Sequence, residues 1–587
     1  MKLIALAFWL TLAGCGTAAL ASPADEAFQE LAADYIDDLP TFSPVNATAI
    51  GDHRFDDELD EVDADARARR LRLYRRYLAG LGKIDWKALS RADQVDAQLL
   101  RSELESSIWE LQVLEEWAWN PLVYVNLSGT ALYALMARDF APLEERMAAA
   151  ASRMEQFPRF LRQVRAELEP SRVPAVHART ALKQNQGINS IIDTMIVPRI
   201  GEVPAELAER LRAAIATARE ALAEHQAWLK TDLVPKAKGD FRIGAKLFDR
   251  KLAFTLDSPL SRREIRRRAE TEYVETRDEM FRISKEIYGE LHPYASFPDD
   301  PDEAFKQVVI RAALEQAYRH LPERDRIVDV AREDLEQATR FVEARDIVTV
   351  PDDPVEIIIM PEYQRGVAVA YLDPPGPLDK GQKSFYAVAP LPEDWTEEQV
   401  ESFLREYNLY SIQNLTLHEA MPGHYLQLAH SNHYPSTLRA VLWSGTFVEG
   451  WAVYGERVMV DAGYLDHDPL MRLINLKWYL RTVANAIIDQ AIHVEGMTRD
   501  EAMRLMIEGA FQEEREAAGK WTRAQLTSTQ LSTYFVGYQE HADMREAADQ
   551  AWGDDFSLRH YHDRALSFGS PPVKYVRALL LDEPIPQ

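Results

Sequence analysis

The segment His418-Glu419-Ala420-Met421-Pro422-Gly423-His424, followed by Phe447-Val448-Glu449-Gly450-Trp451, gathers the residue types that hold zinc and activate water. Zinc takes imidazole nitrogen and carboxylate oxygen, and a catalytic site uses three protein ligands with a fourth position for water. Two imidazoles and a carboxylate supply that inventory, and Glu419, beside the first histidine, adds a base. With 14 histidines in 587 residues, a His pair at one fixed separation is expected about 0.3 times by chance. A Glu directly after the first His makes the match about tenfold rarer, and a Pro-Gly before the second makes it rarer still. The competing reading is a solvated helix end with incidental histidines.

The spacing poses a geometric problem. Histidines six apart on a regular helix stand about 120° apart around the axis and about 9 Å apart along it. Ligands that each need a metal about 2.0 Å away cannot be so placed. Pro422 cannot donate a backbone hydrogen bond, and Gly423 accepts dihedrals that strain other residues. The sequence therefore predicts a broken helix at Pro422-Gly423 that returns His424 toward His418.

The elements around this segment are mostly helical. Residues after Ser22 to about Asp34 read as a short linker into a first helix, and helical patterning then runs to about Arg345. In Ala205–Lys230 the apolar residues Leu207, Leu211, Ile215, Ala218 and Leu222 recur at helical spacing. Asp302–Arg345 reads the same way, with a break near Leu321-Pro322. Between Asp346 and Pro390 the runs DIVTVP, VEIIIMP, VAVAYLDP and KSFYAVAP are short, β-branched or aromatic, and separated by Pro, Asp and Gly. They predict a small antiparallel sheet near the active site. KSFYAVAP is also a candidate edge for an extended peptide. Helical patterning resumes near Glu397. The expected organisation is a signal segment at 1–21, a helical region at 22–345, a sheet region at 346–396 and a helical catalytic region at 397–587, the last three forming one mainly α body.

HEAMPGHYLQ followed by FVEGWAVYGE resembles the bacterial domain-of-unknown-function 885 family, which carries His-Glu-x-x-Pro-Gly-His and a downstream Glu-Gly-Trp-Ala. FRIGAKLFDRKL, STYFVGY and RHYHDRALSFGSPP echo that family elsewhere in the chain. The family is similar to gluzincin peptidases of the thimet oligopeptidase, angiotensin-converting enzyme and carboxypeptidase Taq type. The resemblance implies a two-lobed helical body with a central cleft, and zinc bound by His418, His424 and Glu449. It also implies a tyrosine from a C-terminal helix beside the reacting carbonyl. STYFVGY supplies Tyr534 and Tyr538, of which Tyr534 fits the family spacing to Gly537. The peptidases lack the two extra residues of the Pro-Gly insertion.

Glu456 lies two helical turns beyond Glu449 on roughly the same face. It either orients a ligand or is an exposed carboxylate. His562 and Arg545 are further pocket candidates, although a lone histidine is more often a packing residue. In the implied chemistry Zn2+ polarises water and a peptide carbonyl, Glu419 moves the proton, and a tyrosine stabilises the oxyanion. Short peptides are the expected substrate. A cell-wall or conjugated amide suits the same ligands, and a lipoprotein that binds peptides without cleaving them is the non-enzymatic alternative.

Acidic residues outnumber basic ones by 94 to 67, giving a formal charge of −27. That balance argues against nucleic acid as a partner. The start MKLIALAFWLTLAGC has a basic residue, an apolar run too short to span a bilayer, and a lipobox-like Leu12-Ala13-Gly14-Cys15. It predicts export to the periplasm with lipid anchoring through Cys15 as the sole membrane contact; cleavage after Ala21 is the alternative. Cys15 is the single cysteine, so no disulfide and no internal thiol nucleophile exist. Gly-x-Ser-x-Gly, P-loop and dinucleotide fingerprints are absent. Asp56-Asp57 and Asp352-Asp353 read as solvated turns. The sequence carries no signal of oligomeric state.

Overall fold

A computed structural model of the chain describes residues 22–360, 370–392 and 395–587. Cys15 and the expected signal segment lie outside them. The protein is mainly α-helical with one three-stranded sheet. No helix among the described residues is long and apolar enough to cross a membrane.

The helical expectations for the first half hold in detail. Ala205–Trp228 is one helix, and the Asp302–Arg345 stretch forms Glu303–Ala317 and Ile327–Ala344 on either side of Leu321-Pro322. The expected linker after Ser22 is instead already helix, Pro23–Asp38. Ser22 and Asp25 form a reciprocal capping box and Pro23 occupies the first helical position, which together satisfy orphan donors and start the helix early.

The sheet comprises β1 (Val355–Ile359), β2 (Ala370–Asp373) and β3 (Ser384–Val388), in the order β1-β3-β2. β3 pairs antiparallel with β2 but parallel with β1, so the sheet is mixed and not antiparallel throughout. The most buried of the three strands takes the centre, where neighbours on both edges satisfy its backbone polar groups. KSFYAVAP accordingly has no free edge for a peptide. DIVTVP also departs from expectation. Ile347 and Val348 are buried, but side chains instead of a ladder satisfy this backbone: His562 bonds the Ile347 carbonyl, Thr349 N–H donates to Asp563, and His430 bonds the Thr349 carbonyl.

Seven helices of the C-terminal half surround the candidate site. They are α1 (Leu409–Glu419), α2 (His424–Asn432), α3 (Gly445–Asp461), α4 (Pro469–Gln490), α5 (Glu514–Leu526), α6 (Thr533–Trp552) and α7 (Leu558–Leu566). Asn408 caps α1 by accepting from the Tyr410 and Ser411 N–H groups, and Ser444 caps α3 through the Phe447 N–H. α4 is buried nearly all round, the mark of a central core helix. Its Asp489 accepts from Thr529 N–H, Ser532 N–H and Ser532 Oγ, which fixes where α6 begins. One apolar core joins Tyr386 and Val388 of β3 to Ile412 and Leu415 of α1 and Phe447 and Trp451 of α3. The sheet is thereby seated against the helix that carries His418.

Candidate metal centre

α1 ends at Glu419 and α2 begins at His424, so the helix breaks at Pro422-Gly423. The close return requires glycine. A Cβ on Gly423 would stand 1.7 Å from the His418 carbonyl oxygen, a contact that no side-chain-bearing residue can make without displacing His418. Trp451 on α3 donates its indole N–H to the Pro422 carbonyl at 2.8 Å, which pins the turn against the helix carrying Glu449.

That arrangement brings the predicted ligands together. One donor atom from each of His418, His424 and Glu449 lies within 4.8 Å of the others. His418 Nε2 is 3.7 Å and His424 Nε2 is 3.5 Å from Glu449 Oε2. Ligands about 2.0–2.1 Å from a tetrahedral zinc stand about 3.3 Å from one another, so the donors fit such an ion with small adjustment. The imidazoles meet edge to face, with centroids 4.7 Å apart and planes at 82°.

Glu456 is turned inward and aimed at His418. Its Oε1 accepts from His418 Nδ1 at 2.6 Å and its Oε2 from Asn414 Nδ2 at 2.6 Å, while Asn475 on α4 donates to Asn414 Oδ1 at 3.0 Å. Because a carboxylate can only accept, Nδ1 carries a proton, and Nε2 is the nitrogen that faces Glu449. His424 has no corresponding partner: its buried Nδ1 is unbonded among the described residues. Glu419 is buried, and one of its oxygens, Oε2, accepts the Leu372 N–H of β2 at 3.0 Å.

The charges also suit a cation. Burial, reinforced by the charge of Glu449, pushes the Glu419 carboxyl above its ordinary range despite the two imidazoles. Burial opposes ionisation of Glu449, yet the two imidazoles that face it hold its carboxyl far below the usual value. Burial likewise opposes charge on His418, but Glu449 and Glu456 overcome it and raise the imidazole strongly. Three acidic side chains thus surround two imidazoles in a buried space. Either protons on the imidazoles or a metal cation must balance them.

α6 crosses α3 at two glycines. A Cβ on Gly450 would stand 2.3 Å from the Gly537 carbonyl carbon, so only glycines allow this approach. Tyr534, one turn before Gly537, is thereby set toward Glu449, whose charge is the main influence on the phenol after burial, both raising its pKa. Its hydroxyl oxygen accepts from Arg523 Nη2 at 3.0 Å. Tyr538 instead packs on Tyr479, centroids 4.6 Å apart, and burial raises its phenol to about 12. The structure gives His562 a packing position away from the ligands. Its Nδ1–H donates to the Ile347 carbonyl at 2.8 Å, its Nε2 accepts from the Tyr454 hydroxyl at 2.8 Å, and burial lowers it to about 4. Arg545 lies beside the same Tyr454, about 16 Å along α6 from Tyr534. Asn414, Asn475, Leu372 and Arg523 are site residues that sequence reasoning missed. Only Asn414, one turn before His418, had a readable signal.

The described residues thus form a mainly helical body in which a half-buried His-His-Glu cluster adjoins a buried glutamate. The profile of a bacterial protein family of unknown function, DUF885, matches residues 44–580, and the chain belongs to that family. It is similar to a candidate lipoprotein of unknown function from Shewanella oneidensis, at 33% identity, with a TM-score of 0.80 and coverage of 94% of this chain and 99% of the other. It shares its fold with a candidate lipoprotein from Colwellia psychrerythraea, at 17% identity, with a TM-score of 0.76 and coverage of 95% and 100%. No curated protein matches.

Proposed function

We propose that the protein is a zinc-dependent peptidase acting on short peptides. The observation that carries this reading is the convergence of His418, His424 and Glu449 donors within 4.8 Å of one another, beside the buried carboxylate of Glu419. Zinc, when bound, supplies a Lewis acid that polarises a peptide carbonyl and lowers the pKa of water to about 7.

The remaining steps belong to the chain's own residues. The Leu372 N–H fixes Glu419 Oε2, leaving Oε1 to take a proton from water and pass it to the departing amine. The raised pKa of Glu419 suits a group that must hold that proton between the two transfers. Tyr534 receives a hydrogen bond from Arg523, so its own O–H is left to donate to the oxyanion. Glu456 keeps the His418 ring in the orientation that presents Nε2. The lipobox-like start and the likeness to the Shewanella protein support an exported protein anchored through Cys15.

Incubation of the purified protein with a library of short peptides tests the reading. Hydrolysis is expected to stop on chelation and to return with added zinc. Hydrolysis that persists after all metal is removed would contradict it.

A further inference from the structure

Resting on the peptidase reading, we propose that Arg138 and Tyr133, from the N-terminal half of the chain, are positioning residues for the catalytic base. By holding Asp373 they fix β2 where its Leu372 N–H meets Glu419.

β2 needs such a hold. It is four residues long, shorter than most strands, and lies at the edge of the sheet with β3 as its one neighbour among the described residues. The Leu372 N–H is turned off the ladder, to Glu419 Oε2 at 3.0 Å. Asp373, the next residue, is gripped from outside the sheet. The Tyr133 hydroxyl donates to its Oδ2 at 2.8 Å, and Arg138 Nη2 donates to its backbone carbonyl at 2.7 Å. The same nitrogen lies 3.0 Å from its Oδ1. The Arg138 guanidinium also stands 5.1 Å from the ring centroid of Phe385, the residue paired with Asp373 across the ladder. One guanidinium thus meets the side chain, the carbonyl and the cross-strand neighbour of Asp373. Both side chains of the ion pair are mostly buried, at 12% and 17% exposure, so solvent ions screen it less than a surface pair.

The grip is mounted on a rigid base. Tyr133 is in the last turn of the helix Pro121–Met136, and Arg138 lies just past its end. That helix places Leu132, Leu135 and Met136 in an apolar core of the N-terminal half. A second tie from the same half follows a few residues on. Leu378 N–H donates to the Ile50 carbonyl at 2.9 Å. His53 stands between two carboxylates, with Nδ1 3.0 Å from Asp56 and Nε2 3.1 Å from Asp379, and its ring stacks on Phe140. Burial opposes charge on this imidazole, but Asp379 and Asp56 hold it up to about 9, so it bonds both as a cation near neutral pH. A Cβ on Gly376 would stand 2.4 Å from the Ile50 carbonyl carbon, so the stretch after β2 lies directly on the N-terminal half. Side chains at 53, 133 and 138 therefore reach the base through a single backbone N–H.

The test pairs kinetics with amide exchange. Arg138→Met keeps an aliphatic stem over Phe385 but has no donor. Its kcat on a short peptide is expected to fall about 10- to 100-fold, the loss that follows a small displacement of a reacting group, with KM and zinc content unchanged. Asp373→Asn keeps the size of the side chain and loses only the ion pair, and should lower kcat several-fold. Arg138→Lys should recover part of the loss. The effects of Arg138→Met and Glu419→Gln should be non-additive, the double variant turning over as slowly as Glu419→Gln alone, because the clamp acts through that carboxylate. A role in general stability would instead lower both backgrounds equally. Hydrogen exchange at the Leu372 amide needs no turnover, and should be at least about tenfold faster in Arg138→Met than in the wild type. Additive losses, a change in KM or zinc content in place of kcat, or wild-type exchange at Leu372 in both variants would overturn the proposal. If the wild type cleaves no peptide, the peptidase reading fails and takes the catalytic role of the clamp with it, whatever the exchange. If Arg138→Met cleaves as the wild type does, the clamp alone fails.

Discussion

Replacing Glu419 with glutamine is expected to lower kcat on short peptides by about 10²–10⁴-fold, the range attributed to a positioned acid–base group, while one zinc per chain is retained. Glutamine keeps the size of the side chain and an oxygen able to accept the Leu372 N–H, so the surrounding packing survives. It cannot accept a proton from water. Glu419 is adjacent to the proposed ligand His418 but outside the converging donor set, which is why metal content and turnover should separate. Steady-state kinetics beside metal analysis makes the check. A variant that keeps wild-type turnover would remove Glu419 from the chemistry, and one that loses its zinc would make it a ligand.

His418→Ala should have the opposite signature, losing metal and turnover together. The imidazole is the centre of an array in which Glu449 lies 3.7 Å from Nε2 and Glu456 2.6 Å from Nδ1. Its removal leaves one imidazole and one carboxylate to bind an ion, and strands Glu456 Oε1 without its donor, Oε2 keeping the one from Asn414. Zinc affinity should fall by more than about 100-fold, beyond the loss expected when a partner that only orients a ligand is removed. Competition with a chromogenic chelator measures this. Unchanged affinity would mean that the imidazole lies beside the metal and not on it.

Much of this centre was legible in the sequence because it depends on residue type and short-range spacing. Pro422 and Gly423 announced a break, and the structure supplies the reason: position 423 packs on the His418 carbonyl. Glu456 was readable as a helical neighbour of Glu449, although spacing alone could not distinguish a ligand-orienting carboxylate from an exposed one. Burial and the bond to His418 Nδ1 rule out the exposed one. The contribution of β2 was not legible, since a backbone N–H from Leu372 leaves no side-chain signature. The order of the sheet escaped for a similar reason: strand patterning says which residues are buried, not which edge meets which neighbour. DIVTVP shows the same limit. Its apolar residues enter the core, but distant side chains, including His562, take the backbone bonds that a ladder would have made.

Diffraction from zinc-soaked crystals, recorded on both sides of the zinc absorption edge, examines the core of this account without reference to any substrate. One anomalous peak per chain is expected, about 2.0–2.2 Å from His418 Nε2, His424 Nε2 and a Glu449 oxygen. No peak between those three side chains, or zinc held at other residues, would contradict it.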